Sequence, residues 1–249
     1  MKSVLGLGVL LLGLAYAPSA HAAKQYASYR AVQNNTGGYF SAPNVSMNSG
    51  WSSSNPCNFL IKTQWLSFKG ASSANDDWIE LGRVHGAVER ESGGTYNCGT
   101  SSNPSMVSYY DAYYTATMKF NSTGGYSYRE WPITTISTAG SHSYQIKKVS
   151  SNTDWRGYID NIQVLTYPGW NAANAAYQDV GWEANYATNT TPTWTSPNYA
   201  NPLKFLINGS WTDWSSTNVT TAGSGSISQG SLGWAVSTDG ASYKLKYTR

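Results

Sequence analysis

Between residues 59 and 187 the chain repeats one local pattern: short runs of aromatic and β-branched residues, each closed by Gly, Pro, Asn or Ser. Phe59–Phe68 (FLIKTQWLSF), Trp78–Val84 (WIELGRV) and Tyr109–Phe120 (YYDAYYTATMKF) carry it most clearly. Ser143–Val149, Arg156–Leu165 and Ala176–Ala187 follow, with weaker runs at Leu203–Ile207, Gly233–Ser237 and Ser242–Tyr247. Bulky runs of this length bounded by turn residues predict strands. Helical character is expected only as one turn within Trp170–Ala176. Many short strands with no helix between them predict an antiparallel all-β fold in one domain, a β-sandwich of the jelly-roll or concanavalin-like kind.

Composition excludes the main alternatives. Charged residues make up 12% of the chain and aromatic residues 14%, so neither a coiled coil nor charge-driven disorder fits. The formal charge of +3 comes without a basic cluster, which excludes nucleic acid as the expected partner.

Lys2 precedes an apolar stretch from Val4 to Ala17 that ends in Pro18-Ser19-Ala20-His21-Ala22. A basic start, a short apolar run and an Ala-x-Ala site predict a signal peptide over residues 1–22 and a secreted or periplasmic location. No later apolar run approaches the roughly 18 residues of a spanning helix, so no membrane association is expected after cleavage. In an oxidising compartment Cys57 and Cys98 are expected to pair, stabilising the fold by about 3–4 kcal/mol through loop closure. Residues 23–56 form a turn-rich N-terminal segment, either a pro-segment or an edge strand, ahead of a sandwich domain over 57–249.

Downstream of residue 22 there are five glutamates. Glu89 and Glu91 lie in a hydrophilic stretch and Glu130 stands beside Trp131-Pro132, so all three are expected in solvated loops. Glu80 and Glu183 instead fall inside predicted strands. Alternation places Ile79 and Leu81 toward a core, with Trp78, Glu80, Gly82 and Val84 on the other face. In Ala176–Ala187 the same rule separates Val180, Trp182, Ala184 and Tyr186 from Tyr177, Asp179, Gly181, Glu183 and Asn185. A carboxylate in mid-strand needs a partner or a wet cleft. Two carboxyls converging in one groove would share a proton in acid, one activating water while the other protonates the substrate. That chemistry serves peptide and glycosidic bonds alike.

Ile79-Glu80-Leu81-Gly82 resembles the strand that presents the first catalytic glutamate of neprosin-like glutamic peptidases, relatives of the eqolisins. Val180-Gly181-Trp182-Glu183-Ala184 is similar to the family segment that carries the second. Thr95-Tyr96-Asn97-Cys98, Ser143-Tyr144-Gln145-Ile146 and Asp154-Trp155-Arg156-Gly157-Tyr158 resemble family segments in order between them. The likeness spans residues 65–186. It departs where Gly157-Tyr158-Ile159-Asp160 replaces Gly-Tyr-Trp-Pro, where Gly181-Trp182-Glu183 replaces Gly-Gly-Glu, and where a cysteine lies at 57. The resemblance implies an antiparallel sandwich with a concave face, a Glu80/Glu183 dyad, a polypeptide substrate, and neither metal nor cofactor.

Other chemistries have weaker sequence support. No Gly-x-Ser-x-Gly elbow accompanies His85 or His142, no clustered metal ligands stand out, and no phosphate-binding loop occurs. Trp78, Tyr113, Gln145 and Tyr158 are the residues expected to line the groove. The same aromatics suit a non-catalytic sandwich that binds glycan or an extended peptide, which is the alternative reading.

Overall fold

A computed structural model describes residues 25–43, 47–48, 53–54, 56–58, 60–69, 77–90, 93–98, 101–102, 106–120, 126–149, 154–168, 175–185, 193–194, 198–214, 235–238 and 245–248. The signal-peptide expectation and the turn at Trp170–Ala176 fall largely outside them. In chain order the strands begin with β1 (Gln25–Asn35), β2 (Gly37–Pro43), β3 (Met47–Asn48), β4 (Leu60–Lys69), β5 (Trp78–Arg90) and β6 (Tyr96–Asn97). Next come β7 (Met106–Phe120), β8 (Tyr126–Ile133), β9 (Ser141–Lys148), β10 (Trp155–Ile159), β11 (Ile162–Tyr167) and β12 (Ala175–Asn185). The last are β13 (Thr193–Trp194), β14 (Asn198–Ala200), β15 (Leu203–Ile207), β16 (Ser210–Asp213), β17 (Ala235–Thr238) and β18 (Leu245–Thr248). The one helical element among the described residues is a 3-10 turn at Pro56–Asn58.

Two antiparallel sheets form the predicted sandwich. The first has seven strands in the order β1-β12-β4-β5-β7-β6, with β8 also on β7; the second has six in the order β11-β10-β9-β2-β15-β16. The chain crosses between sheets at Thr36, whose N–H donates to Leu206 O at 2.9 Å. Residues 25–43 therefore supply an edge strand to one sheet and an interior strand to the other.

The core lies between the sheets. Ile79, Leu81, Tyr113 and Val180 of the first meet Phe40, Tyr144, Ile146, Trp155 and Phe205 of the second, all at most 1% exposed. Phe40 stacks on Tyr144 at 4.5 Å and Phe205 on Trp214 at 5.3 Å. Gly157 sets how closely the sheets approach: a Cβ there would lie 2.8 Å from Leu81 Cδ2 and 3.0 Å from Leu165 Cβ. The predicted strand over Arg156–Leu165 is two strands in the structure. Asp160 and Asn161 adopt φ of 49° and 66° between β10 and β11, the left-handed pair that a tight hairpin requires.

Two expectations are corrected here. β5 runs on to Arg90, so Glu89 is a strand residue; Val84 and Val88 pack against Tyr114 and Ala116 and carry the pairing past the predicted end. Glu130 lies inside β8 rather than in a loop. Pro132 is tolerated there because, among the described residues, β8 pairs with β7 alone and so lies at an edge. Cys57 and Cys98 form the expected disulfide, with Cα atoms 5.3 Å apart.

Candidate active site

The register of the first sheet lines up acids on adjacent strands. Asp179 of β12 pairs with Ser67 of β4, Ser67 with Glu80 of β5, Glu80 with Ala116 of β7, and Ala116 with Glu130 of β8. Residues paired directly across a sheet share a face. One row thus reads Asp179, Ser67, Glu80, Ala116, Glu130, with a small residue between successive acids. Neighbouring strands are about 4.8 Å apart, which puts successive acid backbones about 10 Å apart. Gln178 reaches the second sheet, its amide donating to Lys204 O at 3.5 Å, so Asp179 points the other way, onto the face of Glu80.

This face is less wet than its polarity suggests. Glu80 is 3% exposed, Asp179 6% and Glu130 9%. Tyr114, paired with Gly82 and fully buried, donates its hydroxyl to Glu80 Oε1 at 2.5 Å. A buried carboxylate is costly without such donors, and a hydrogen bond to a charged group is short and strong. The sequence predicts Tyr113 for this groove, and the structure corrects that. Tyr113 faces the second sheet, edge-on to His142 at 5.2 Å and to Tyr144 at 6.0 Å. Tyrosines occupy both faces of β7, and it is Tyr114 that has the parity of Glu80.

Trp78 lies two residues before Glu80 and so has its parity on β5. Gln145 and Tyr158 do not share this groove: they are directly paired on β9 and β10, with Tyr144, Ile146, Gly157 and Ile159 turned inward around them. Their side chains therefore belong to the outer face of the second sheet. Glu183 pairs through its backbone with Tyr26 of β1 and Lys62 of β4, and its side chain is outside the described residues. β4 contains one extra residue between Lys62 and Trp65, a bulge, and across it Glu183 is level with Val84, four residues along from the Asp179–Glu80 row. Sequence reasoning singled out neither Glu130 nor Asp179. The parity of Asp179 was readable, but its row partner depends on the register across β4.

His85 and His142 each sit against an aspartate. His142 Nδ1 lies 2.6 Å from Asp160 Oδ2 and its Nε2 lies 2.8 Å from Ala139 O, so both ring nitrogens are engaged. His85 Nδ1 lies 3.4 Å from Asp111 Oδ1, its Nε2 is 3.3 Å from Tyr109 Oη, and Arg83 bonds the same aspartate at 2.7 Å. The hydrogen bond from His85, joined by Arg83, outweighs burial and holds the Asp111 carboxyl well below the usual range. Burial alone would raise Asp160, but the Ser143 N–H and His142 prevail and lower it. These contacts engage both ring nitrogens of His85 and of His142. Among the described residues no group of three or more His, Cys, Asp or Glu could hold a metal ion.

No protein-family profile matches the chain, and no curated protein does. Among solved structures, a Scytalido-glutamic peptidase with a peptide-based transition state analog is similar at a TM-score of 0.45 and 9% identity, covering 91% of this chain and 98% of that one. A family 16 endo-glucanase from Bacteroides ovatus is similar at 0.40 and 10% identity, covering 73% of this chain and 84% of that one. Sheep galectin-11 is similar at 0.33 and 8% identity, covering 70% and 98% respectively.

Proposed function

We propose that this chain is a secreted acid hydrolase of the glutamic-endopeptidase kind, cleaving peptide bonds with carboxyl groups from β5 and β12. The observation that carries this reading is the pairing of two conditions on one face. Glu80 is shut from solvent and fixed by Tyr114, and a second buried acid, Asp179, occupies its register row. Backbones about 10 Å apart let two acidic side chains lean toward one water or one carbonyl group. Glu183, the acid that the sequence pattern favours, stands four residues further along β12, about 13 Å of strand. Both acids of β12 are carried in the proposal, Asp179 having the shorter reach.

The chemistry follows from a proton shared between neighbouring carboxyls. The ionised member removes a proton from water as the water oxygen bonds to the carbonyl carbon. The protonated member donates to the carbonyl oxygen. Collapse of the tetrahedral intermediate breaks the C–N bond: the proton taken from water passes to the leaving amine, and the carboxylate that protonated the carbonyl oxygen takes a proton back as C=O re-forms. Tyr114 keeps Glu80 oriented throughout.

The test is a product assay on denatured protein and on β-glucan between about pH 3 and 6, the range in which a shared carboxyl proton is available. New α-amino groups are expected from protein. Reducing ends released from glucan instead would reassign the same acids to glycoside hydrolysis. The absence of any cleavage product from either substrate would leave the non-catalytic binding reading.

A further inference from the structure

The second sheet carries a feature that the carboxyl row does not use. On its outer face Arg156 of β10 stands directly opposite Lys147 of β9. Residues paired in this way hold their Cβ atoms about 5 Å apart, and like charges so placed repel. Lys147 Nζ rests over the Tyr158 ring, 4.9 Å from its centroid, a contact that fixes the ammonium without neutralising it. Among the described residues no carboxylate pairs with either cation. Asp213, on the same face, is held by Lys204 at 3.1 Å, and Asp160 by His142. The Arg156 Nε is buried without a hydrogen-bond partner. Next to the cations the register continues from Tyr158 through Gln145 to Tyr39, and Tyr39 meets the 38%-exposed Trp211 edge-on at 6.1 Å.

We propose that this outer face binds an acidic polysaccharide, with a carboxylate or sulfate group between Lys147 and Arg156 and sugar rings along Tyr158, Gln145 and Tyr39. A bound anion removes the repulsion between the two cations by placing a negative charge between them. The flat rings beside it offer the apolar surface that a sugar face covers, and the Gln145 amide offers hydrogen bonds to hydroxyls. A glycan fits better than a nucleic acid, because only one cation pair is present rather than a charged track. The site lies on the opposite sheet from Glu80 and does not depend on the hydrolase reading.

Binding of the full secreted protein to polygalacturonate and to dextran sulfate, with neutral dextran and single-stranded DNA as controls, tests the proposal. At least one acidic polysaccharide is expected to bind, more weakly as salt rises; which one binds tells carboxylate from sulfate. Lys147→Gln with Arg156→Gln is expected to weaken that binding at least tenfold while leaving hydrolysis unchanged. The double variant is also expected to melt no lower than the parent, since a repulsive pair is gone, and to lose the rise in Tm that the polysaccharide gives the parent. Equal or tighter binding of neutral dextran or DNA, or acidic-polysaccharide binding that the double variant keeps, would overturn it.

Discussion

Tyr114 donates a 2.5 Å hydrogen bond to Glu80 from the neighbouring strand, and both side chains are sealed from solvent. The pair is diagonal: Tyr114 faces Gly82, which has no side chain to fill the intervening space, and its hydroxyl reaches the carboxyl two residues along β5. Glu80 is thereby held by a neutral hydroxyl donor. A carboxyl fixed in this way can exchange protons with a substrate, whereas one locked to an arginine, as Asp111 is to Arg83, cannot readily do so.

Tyr114→Phe removes the donor and leaves the ring. Loss of a hydrogen bond to a buried charged group is expected to cost about 1.5–3 kcal/mol, read as a lower urea midpoint with an unchanged slope. Hydrolytic activity should fall with it under conditions where the variant is still folded.

Gly157→Ala tests the spacing of the sheets. The new methyl group meets Leu81 and the Cβ of Leu165 inside a packed core, and overpacking of this kind costs about 1–3 kcal/mol. Adding Leu81→Val should recover part of the loss, because the two sites share one contact. Strict additivity in denaturant melts would show that the contact does not set the spacing.

Asp111 and Asp160 predict how stability responds to acid. Both carboxyls are lowered in the folded protein. The stability they contribute is therefore complete above the unfolded carboxylate pKa of about 3.9 and is lost as pH falls through their folded values. Asp160→Asn and Asp111→Asn should each lower Tm at neutral pH, with a difference from the parent that shrinks as pH falls below the unfolded carboxylate value of about 3.9. A constant Tm difference at every pH would contradict the assignment. The same lowering keeps these clamps intact in the acid range where the proposed hydrolysis runs.

The disulfide joins the 3-10 turn at Pro56–Asn58 to the residue that follows β6, across a sequence separation of 41. Closing a loop of that length stabilises the native state by about 4 kcal/mol in the chain-entropy model. Cys57→Ser with Cys98→Ser should lower the denaturant midpoint accordingly. An unchanged midpoint would mean that the unfolded chain is already constrained in this region.

Strand identity was legible because side-chain bulk and turn residues are local signals; Leu203–Ile207 is a strand with the predicted ends, and Trp78 opens β5 as expected. Facing was legible only in part. The parity of Glu80 follows from Ile79 and Leu81, but Tyr113 and Tyr114 are chemically alike, and only the sheet partner decides which one turns inward. Gln145 and Tyr158 alternate as regularly as groove residues would, yet their strands belong to the other sheet, a fact of topology that no local pattern carries. Register was not legible at all. Across β4, Asp179 is level with Glu80 and Glu183 with Val84, and nothing in LIKTQWLSFK signals that alignment or the extra residue of the bulge.

Bond cleavage is the role proposed for the carboxyl groups of the Glu80 row. It is tested most directly by measuring kcat/KM on a denatured protein at about pH 4, near the ordinary carboxyl pKa, for the parent, Glu80→Gln, Asp179→Asn, Glu183→Gln and Glu130→Gln, each confirmed folded by its thermal melt. A loss of at least about a hundredfold is expected for Glu80→Gln, the scale of removing a general acid or base. A comparable loss is expected for one of the two β12 variants and a smaller one for Glu130→Gln. Parent-level activity in Glu80→Gln, or in both β12 variants, would contradict it.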